Sequence, residues 1–303
     1  MIVNMTMTEK NINTNMLKRQ VNMQTFGKVY RDTGSTECSY PRHLDTYGKG
    51  CYFNCSYCYS RAMLTPRGRW FPNSPAVAPF DEVVKTIREK CPKGSVIRMG
   101  GMTDCFQPRE KRERITYKTI KLLNRKGVHY LIVTKSPMIL DKEYRDLFDH
   151  DLAHFQISIP TTDNDFIKRV SRRVPTFEET KNMVETLYHD DFDVIIRASP
   201  FLYNLMDYDK LNGVECDKIL VEFLRHNPNV RTNFSKYMDL SEYTYRLGEF
   251  NMDYKYLPLD IKLREIEKLD FKEINICEDV PEHDKYFKKH IDSSPSSCCN
   301  LRL

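Results

Sequence analysis

The stretch GKGCYFNCSYCYSRA (residues 48–62) places three cysteines, Cys51, Cys55 and Cys58, within eight positions and surrounds them with aromatic residues. Structural zinc sites use four ligands, commonly in two close pairs, and no matched second pair at zinc-finger spacing is present. Iron-sulfur clusters are held by cysteine thiolates, normally one for each iron. Zinc and an iron-sulfur cluster are therefore the two candidates, and three ligands on a four-iron cluster would leave one iron open for chemistry.

The composition of the chain sets its class. It has 303 residues, a net charge of +5 and 40% hydrophobic residues, which is enough for one large domain or two ordinary ones. No run approaches the roughly 18 consecutive apolar residues of a membrane helix, and the polar N-terminus lacks the apolar segment of a signal peptide. We therefore expect a cytoplasmic protein with no membrane contact. There, its ten cysteines should be metal ligands, catalytic thiols or buried apolar residues rather than disulfides.

Strand and helix patterns alternate from about residue 42 onward, which favours an α/β fold with a parallel sheet and outer helices. The predicted strands are 95–101, 129–136, 152–160, 192–200, 229–234 and 272–277. The predicted helices are 79–90, 112–126, 141–149, 176–189, 215–226 and 259–269. Thr176 and Glu179 have the spacing of a capping box. Six or seven such units predict a partial (β/α)6 barrel.

Three segments are expected along the chain. Residues 1–40 form a partly disordered leader, and residues 41–240 form the core barrel. Residues 241–303 supply a helix, the last strand and a cysteine-containing tail that closes the barrel.

The predicted strands alternate between an apolar and a polar face. In FDVIIRASP (192–200), for example, Arg197 and Ser199 share a face with Ile195. The apolar face should meet the helices, so the polar face points into the barrel. A closed eight-stranded barrel fills this space mainly with branched apolar residues. The polar interior therefore indicates either a cavity for a charged ligand or charges that neutralise one another.

The cysteine loop resembles the cluster motif of the radical S-adenosylmethionine (radical SAM) superfamily, with CxxxCxxC after a first strand and an aromatic residue, Tyr57, before the last cysteine. The resemblance covers about residues 40 to 200. It implies that Cys51, Cys55 and Cys58 hold a [4Fe-4S] cluster and that S-adenosylmethionine binds the fourth iron. An electron from a donor of the flavodoxin or ferredoxin type then cleaves S-adenosylmethionine to a 5′-deoxyadenosyl radical, which abstracts a substrate hydrogen.

The strings GGMTDCFQPRE (100–110), VTKSP (133–137) and QISIP (156–160) resemble the branch that contains spore photoproduct lyase. This resemblance assigns contacts with S-adenosylmethionine at the ends of successive strands. Tyr57 is expected against the adenine, and the turn after the second strand is expected around the methionyl ammonium. Lys135 and Ser158 are expected to contact the carboxylate or the ribose, and Arg197 is a further candidate. The cationic side chains of Lys135 and Arg197 suit a carboxylate. The full set of expected cofactor contacts is Tyr57, Gly100, Gly101, Thr103, Asp104, Lys135, Ser158 and Arg197.

Two further residues are catalytic candidates by the same resemblance. Spore photoproduct lyase uses a cysteine near its second-strand turn as a hydrogen donor, and Cys105 is the cysteine of the turn here, although it follows the aspartate instead of preceding it. Cys105 is therefore either a donor in a shifted position or a buried thiol. Tyr59 matches a tyrosine that helps to relay the hydrogen in the lyase.

Cys277, Cys298 and Cys299 lie in the last thirty residues. Cys277 belongs to the face of the last predicted strand that is expected to point into the barrel. They are a candidate second metal site for an iron-sulfur cluster or zinc, with Cys216 or His283 as candidate fourth ligands. The alternatives are a redox-active thiol pair that delivers a hydrogen atom, and a mobile tail with free thiols. Cys38, Cys91 and Cys216 are otherwise expected to be structural.

Residues 61–125 hold fifteen Lys and Arg but six Asp and Glu, and Arg61, Arg67 and Arg69 stand beside Trp70 and Phe71. Cationic and aromatic residues in one loop suit phosphates and stacked bases. We therefore expect the enzyme to modify or repair a nucleic acid or a nucleotide. A radical enzyme that modifies peptides and a metal-dependent nucleic-acid-binding module without catalysis are the two alternatives.

Overall fold

The computed structural model describes residues 26–31, 42–171, 173–247 and 254–303. Its main sheet has the spatial order β1-β2-β5-β6-β7-β8-β9-β10, and a separate small sheet pairs β3 with β4. The strands are β1 (Tyr30–Arg31), β2 (Arg42–Leu44), β3 (Tyr47–Gly48), β4 (Ala76–Val77), β5 (Val96–Met99), β6 (His129–Thr134), β7 (Ala153–Ser158), β8 (Asp193–Phe201), β9 (Lys218–Phe223) and β10 (Glu273–Ile276).

The helices fill the connections between these strands. They are α1 (Tyr59–Leu64), α2 (Phe80–Lys90), α3 (Glu110–Glu113), α4 (Ile115–Lys126), α5 (Lys142–Arg145), α6 (Asn164–Val170), α7 (Phe177–His189), α8 (Tyr208–Asn212), α9 (Pro228–Phe234), α10 (Leu259–Ile266) and α11 (Pro281–His290). No helix among the described residues is long and apolar enough to cross a membrane.

The predicted partial barrel is confirmed. Seven strands, β2 and β5 to β10, run parallel to one another. The strand β1, which lies in the segment expected to be a leader, pairs antiparallel with β2. Within the described residues β10 does not pair with β1, so the sheet stays open. The outer face packs on the helices in the main hydrophobic core, which includes Ile157, Ile196 and Val221.

Two predicted elements have the opposite secondary structure. Residues 215–226 were expected to be helical but contain β9, because Ile219 and Val221 alternate with Leu220 and both faces of a central parallel strand are buried. Residues 229–234 were expected to form a strand but lie in α9. Asn227 caps this helix by accepting a hydrogen bond from the Val230 N–H at 2.9 Å, and proline follows at the first helical position.

The capping box predicted for residues 176–179 is confirmed at the start of α7. The Glu179 N–H donates to the Thr176 hydroxyl at 3.2 Å, and the Thr176 N–H donates to the Glu179 carboxylate at 2.7 Å. The cap fixes where the helix begins, immediately after the chain leaves the segment beside the cysteine loop.

The segment after α11 covers the outer edge of β10. The Ile276 N–H donates to the Asp292 carboxylate at 2.8 Å, and the Ile274 N–H donates to the Ser293 hydroxyl at 2.9 Å. The Ser293 N–H in turn donates to the carbonyl of Ile274 at 3.0 Å. The backbone groups that β10 turns away from β9 are therefore paired within the chain.

The last residues then turn onto the inner face of the sheet, the face away from the helices. The carbonyl of Asn300 accepts from Lys218 at 2.9 Å, and the Arg302 N–H donates to the Asp193 carboxylate at 2.9 Å. Lys218 and Asp193 are the first residues of β9 and β8. Asn300 and Arg302 thus pack at the end of the sheet where the parallel strands begin.

Candidate active site

The cysteine loop lies between β3 and α1, at the end of the sheet where the parallel strands finish. Cys55 is buried and Cys51 and Cys58 are half-buried, and Cys58 directly precedes the first residue of α1. A side chain at Gly50, where φ is +156°, would place its Cβ 2.2 Å from the carbonyl oxygen of Phe71. Glycine is therefore required where the loop crosses the segment around Phe71.

Neighbouring segments hold the loop by its backbone. The Tyr52 N–H donates to the fully buried amide of Gln107 at 2.8 Å, and Arg173 donates to the carbonyl of Tyr52 at 2.9 Å. The Trp70 indole donates to the Asn54 side chain at 2.9 Å. Trp70, which the sequence suggested as part of a nucleic-acid contact, therefore supports the loop.

The glycine turn after β5 packs directly on the next strand. Gly100 has a φ of +84°, and a Cβ there would lie 2.3 Å from the carbonyl oxygen of Val133. The buried Asp45 accepts the Met102 N–H at 3.0 Å, which fixes the turn from the side of β2. Asp45 was not predicted, since nothing local in the sequence connects it with residue 102.

Thr103 and Asp104 were expected to bind the ammonium of S-adenosylmethionine, but both side chains have partners in the protein. The Thr103 hydroxyl donates to the carbonyl of Tyr47 at 2.6 Å. The Asp104 carboxylate accepts from the Phe106 N–H and the Lys135 N–H at 2.8 Å and from the Thr134 hydroxyl at 2.9 Å. Asp104 thus ties the ends of β5 and β6 together, while burial raises its pKa.

Lys135 brings a positive charge to the three thiols. Burial lowers the pKa of its ammonium group, and the negative charges of Cys55, Asp104, Cys58 and Cys51 oppose that shift. Burial raises the pKa of Cys55, while Lys135 and hydrogen bonds from Tyr57 and Ser171 oppose that shift. The arrangement favours negative sulfur once the protons are displaced.

The thiols of Cys51, Cys55 and Cys58 fit a [4Fe-4S] cluster better than a single metal ion. Among the described residues, no three His, Cys, Asp or Glu side chains converge closely enough to hold one ion. Each thiolate of a cluster binds a different iron, so the sulfur atoms need to line a loop and not to meet at a point. The Asp104 N–H also points at the Cys51 sulfur, as suits a sulfur that carries negative charge.

The sequence profile of the Radical SAM superfamily matches residues 46–207, which include the cysteine loop, the glycine turn and the strand end at Lys135. The chain belongs to the radical SAM superfamily. Membership implies a [4Fe-4S] cluster and S-adenosylmethionine.

Solved structures show the same fold in radical SAM proteins. Spore photoproduct lyase complexed with dinucleoside spore photoproduct is 15% identical, with a TM-score of 0.55 over 85% of this chain and 76% of that chain. A radical SAM methyltransferase from Sphaerobacter thermophilus is 14% identical, with a TM-score of 0.51 over 79% of this chain and 67% of that chain. At such identities the likeness concerns the fold.

A curated sequence relative is the uncharacterized protein MJ0683 of Methanocaldococcus jannaschii. The two chains are 26% identical over 170 residues, which is 54% of this chain and 62% of the relative. The match thus spans less than two thirds of the relative's length.

The two aromatic residues beside the last cluster cysteine have different surroundings in this radical SAM chain. Tyr57 is buried and makes an edge contact with Phe234, with ring centroids 6.0 Å apart. Tyr59 is 50% exposed, and its hydroxyl donates to the carbonyl of Gly101 in the glycine turn. Tyr59 is therefore the tyrosine that an incoming ligand can reach.

Ser158, the last residue of β7, is the register partner of Arg197 in the middle of β8. The Arg197 guanidinium donates to Gln156 at 2.9 Å and forms a buried ion pair with Glu222. Ser199 donates to the same Glu222 carboxylate at 2.8 Å. The interior charges of this radical SAM barrel thus neutralise one another at Arg197, which was expected to bind S-adenosylmethionine.

Cys105, the predicted hydrogen donor, is 0% exposed and belongs to the main hydrophobic core. Burial raises the pKa of its thiol well above the usual value. This burial agrees with the alternative of a buried structural thiol, and the donor role stays a prediction.

The three C-terminal cysteines meet on the inner face of the sheet. The Cys298 thiol lies within hydrogen-bonding reach of both Cys277 and Cys299, and Cys299 packs in a small apolar cluster with Leu131 and Ile195. A hydrogen bond from Cys298, with Arg98 and Arg197 nearby, lowers the pKa of Cys299 to about 6.

The candidate fourth ligands for a second metal do not reach these cysteines. Cys216 donates to the carbonyls of Val194 and Lys218 at the start of the strands, and His283 is paired with Lys262 at 3.1 Å. Since no three donors among the described residues could hold a metal ion, zinc at the tail is not supported. Cys91 is buried at the end of α2, and Cys38 lies outside the described residues.

Glu110 is the buried carboxylate behind the glycine turn of the radical SAM site, and no role was predicted for it. It accepts from the Tyr47 hydroxyl at 2.6 Å, the Tyr144 hydroxyl at 2.8 Å, the Tyr117 N–H at 2.9 Å and the Thr116 N–H at 3.0 Å. It thereby joins β3, which leads into the cysteine loop, to α4.

Glu110→Gln should lower the free energy of unfolding by about 3 kcal/mol, because an amide turns an N–H group toward donors that need an acceptor. Glu113→Gln is the matched control. Its carboxylate is partly exposed and pairs with Arg109 and Arg112, so the loss should be much smaller than that of Glu110→Gln. Urea unfolding of both anaerobic proteins measures the difference, and equal losses would contradict the role of Glu110.

Proposed function

We propose that this chain reductively cleaves S-adenosylmethionine at a [4Fe-4S] cluster and uses the 5′-deoxyadenosyl radical to abstract hydrogen from a nucleic acid or nucleotide base. The observation that carries the proposal is the convergence of three cysteines, one glycine turn and one half-buried lysine, Lys135, at the end of the sheet where the parallel strands finish. Superfamily membership adds the reaction class.

The residues of the chain divide the work at this site. Cys51, Cys55 and Cys58 would hold the cluster, and Lys135 would neutralise the carboxylate of S-adenosylmethionine. The glycine turn would receive the ammonium group through backbone atoms, since Thr103 and Asp104 are already hydrogen-bonded within the protein. When bound, the cluster and S-adenosylmethionine supply the radical chemistry, and the protein positions it and excludes water.

The choice of a nucleic acid or nucleotide rests on surface chemistry near the loop. Phe71 is 52% exposed, and Arg67 and Arg69 beside it are exposed as well. Arg173 stacks on Tyr52 with its guanidinium carbon 4.4 Å from the ring centroid. Exposed aromatic and cationic side chains suit bases and phosphates. A structural neighbour, spore photoproduct lyase, is complexed with dinucleoside spore photoproduct.

Deuterium transfer tests the proposal and identifies the substrate class. Anaerobic protein with dithionite and S-adenosylmethionine should form 5′-deoxyadenosine. This product should carry deuterium when DNA, RNA or nucleotides are labelled, but not when peptides are labelled. Label from the peptide pool alone would reject the nucleic-acid substrate. Complete absence of 5′-deoxyadenosine would reject the radical reaction. A flavodoxin or ferredoxin should replace dithionite as the electron donor.

A further inference from the structure

The three C-terminal thiols form the one cluster of nucleophilic side chains among the described residues that the proposed reaction leaves unused. They come from two segments, since Cys277 follows β10 whereas Cys298 and Cys299 lie in the tail. The Cys298 thiol is the shared member, within hydrogen-bonding reach of both other sulfur atoms. Thiols in such contact can exchange a hydrogen bond for a disulfide with little movement of the chain.

The position of the thiols is the second observation. Cys299 is 5% exposed and packs on apolar residues of the inner face, while Cys277 and Cys298 are only half-buried. Arg98 and Arg197, on the inner faces of β5 and β8, lie near Cys299. Arg98 also acts electrostatically on Tyr59, whose hydroxyl is bonded to the glycine turn. Arg98 is therefore common to the electrostatic surroundings of Cys299 and of Tyr59.

The tail is anchored on both sides of the thiols, so their position is built into the fold. Before them, the side-chain amide of Asn275 donates to the carbonyl of Ser294 at 3.1 Å. After them, Asn300 accepts from Lys218 and donates to Glu273 at 2.8 Å. Lys218 is buried and pairs with Asp193 at 3.1 Å. These contacts hold Cys298 and Cys299 against the sheet.

We propose that Cys277 and Cys298 form a redox-active thiol pair inside the barrel, in which Cys298 gives a hydrogen atom to a radical formed there and is then oxidised to a disulfide with Cys277. This use of the pair rests on the proposed function.

The step balances in atoms and electrons. The radical centre gains a C–H bond as the S–H bond of Cys298 breaks, which leaves a sulfur-centred radical on Cys298. Cys277 loses its thiol proton to solvent and adds its sulfur to that radical, which forms the S–S bond with one surplus electron. A one-electron carrier of the ferredoxin or flavodoxin class accepts this electron, and a cellular dithiol later reduces the disulfide by exchange.

Disulfide mapping tests the pair without any catalytic reaction. The full chain with its cluster is equilibrated anaerobically in glutathione redox buffers, the free thiols are alkylated, and peptides are analysed by mass spectrometry. We expect one disulfide that joins Cys277 to Cys298, with Cys91 and Cys105 still reduced. A disulfide that leaves out Cys277, or no disulfide across the whole range of buffers, overturns the pair.

Solvent deuterium tests the transfer of hydrogen. In D2O, with dithionite and no added thiol or substrate, wild-type protein should form 5′-deoxyadenosine that carries deuterium, because thiol protons exchange with solvent. Cys298→Ala should still form 5′-deoxyadenosine but should lose the label. Cys216→Ala is the control that should keep it. Unlabelled product from wild type, or equal label in Cys298→Ala, overturns the donor role, whereas absence of 5′-deoxyadenosine from wild type rejects the proposed function itself.

Discussion

Replacing Cys51, Cys55 and Cys58 together by alanine should remove about four irons per chain and abolish the formation of 5′-deoxyadenosine, because each thiolate would hold a different iron of the proposed cluster. The reaction depends entirely on this group, so the expected loss is larger than that from any other change in the protein. Iron analysis, the visible spectrum of the anaerobically reconstituted protein and chromatography of the products measure the effect.

Cys91→Ala is the matched control for the triple variant. Cys91 is also buried, but it lies at the end of α2 and has no place in the cysteine loop. The Cys91→Ala protein should keep about four irons per chain and full formation of 5′-deoxyadenosine. A triple variant that retains iron would show that other residues bind the metal. A wild-type content near eight irons per chain would instead support the second cluster at Cys277, Cys298 and Cys299.

Lys135→Met will weaken the binding of S-adenosylmethionine by roughly 10- to 150-fold, since a hydrogen bond to a charged group contributes about 1.5–3 kcal/mol. Methionine keeps the length and apolar character of the lysine side chain but removes its charge. The backbone N–H of residue 135, which Asp104 holds at 2.8 Å, remains in place. Iron content should therefore stay the same while the dissociation constant rises.

Anaerobic equilibrium dialysis with labelled S-adenosylmethionine separates these two effects. Lys142→Met serves as the control, because Lys142 is exposed and pairs only on the surface with Asp146 at 2.6 Å. Lys135→Arg should recover part of the affinity by restoring the positive charge. An unchanged dissociation constant in Lys135→Met would place the carboxylate of S-adenosylmethionine elsewhere.

The features that the sequence predicted correctly are those with local signals. The strand-helix alternation indicated the partial barrel. The spacing of Cys51, Cys55 and Cys58 indicated the superfamily, while their role as cluster ligands stays a prediction. The capping box at Thr176 follows from two residues three positions apart. In each case the physical cause lies within one turn or one strand, so a short stretch of sequence is sufficient.

The features that were missed or wrongly assigned depend on distant partners. Asp104 reads in the sequence as a free carboxylate after a glycine turn, yet Thr134, thirty residues later, supplies its hydrogen bond. Arg197 reads as an inward-facing cation, but Glu222 on the next strand neutralises it. Residues 215–226 have enough spaced apolar residues to suit a helix, and burial on both faces of the sheet decides for a strand.

The contacts along β10 also bear on how the protein behaves at high concentration. An exposed edge strand offers unpaired backbone groups on which another chain can add a strand, and this is a common start of aggregation. Asp292 and Ser293 occupy the donors of Ile276 and Ile274 and the acceptor of Ile274. The same segment that leads the thiols into the barrel therefore protects the open sheet against intermolecular strand addition. Truncations that end before residue 292 should lose solubility as well as the thiol pair.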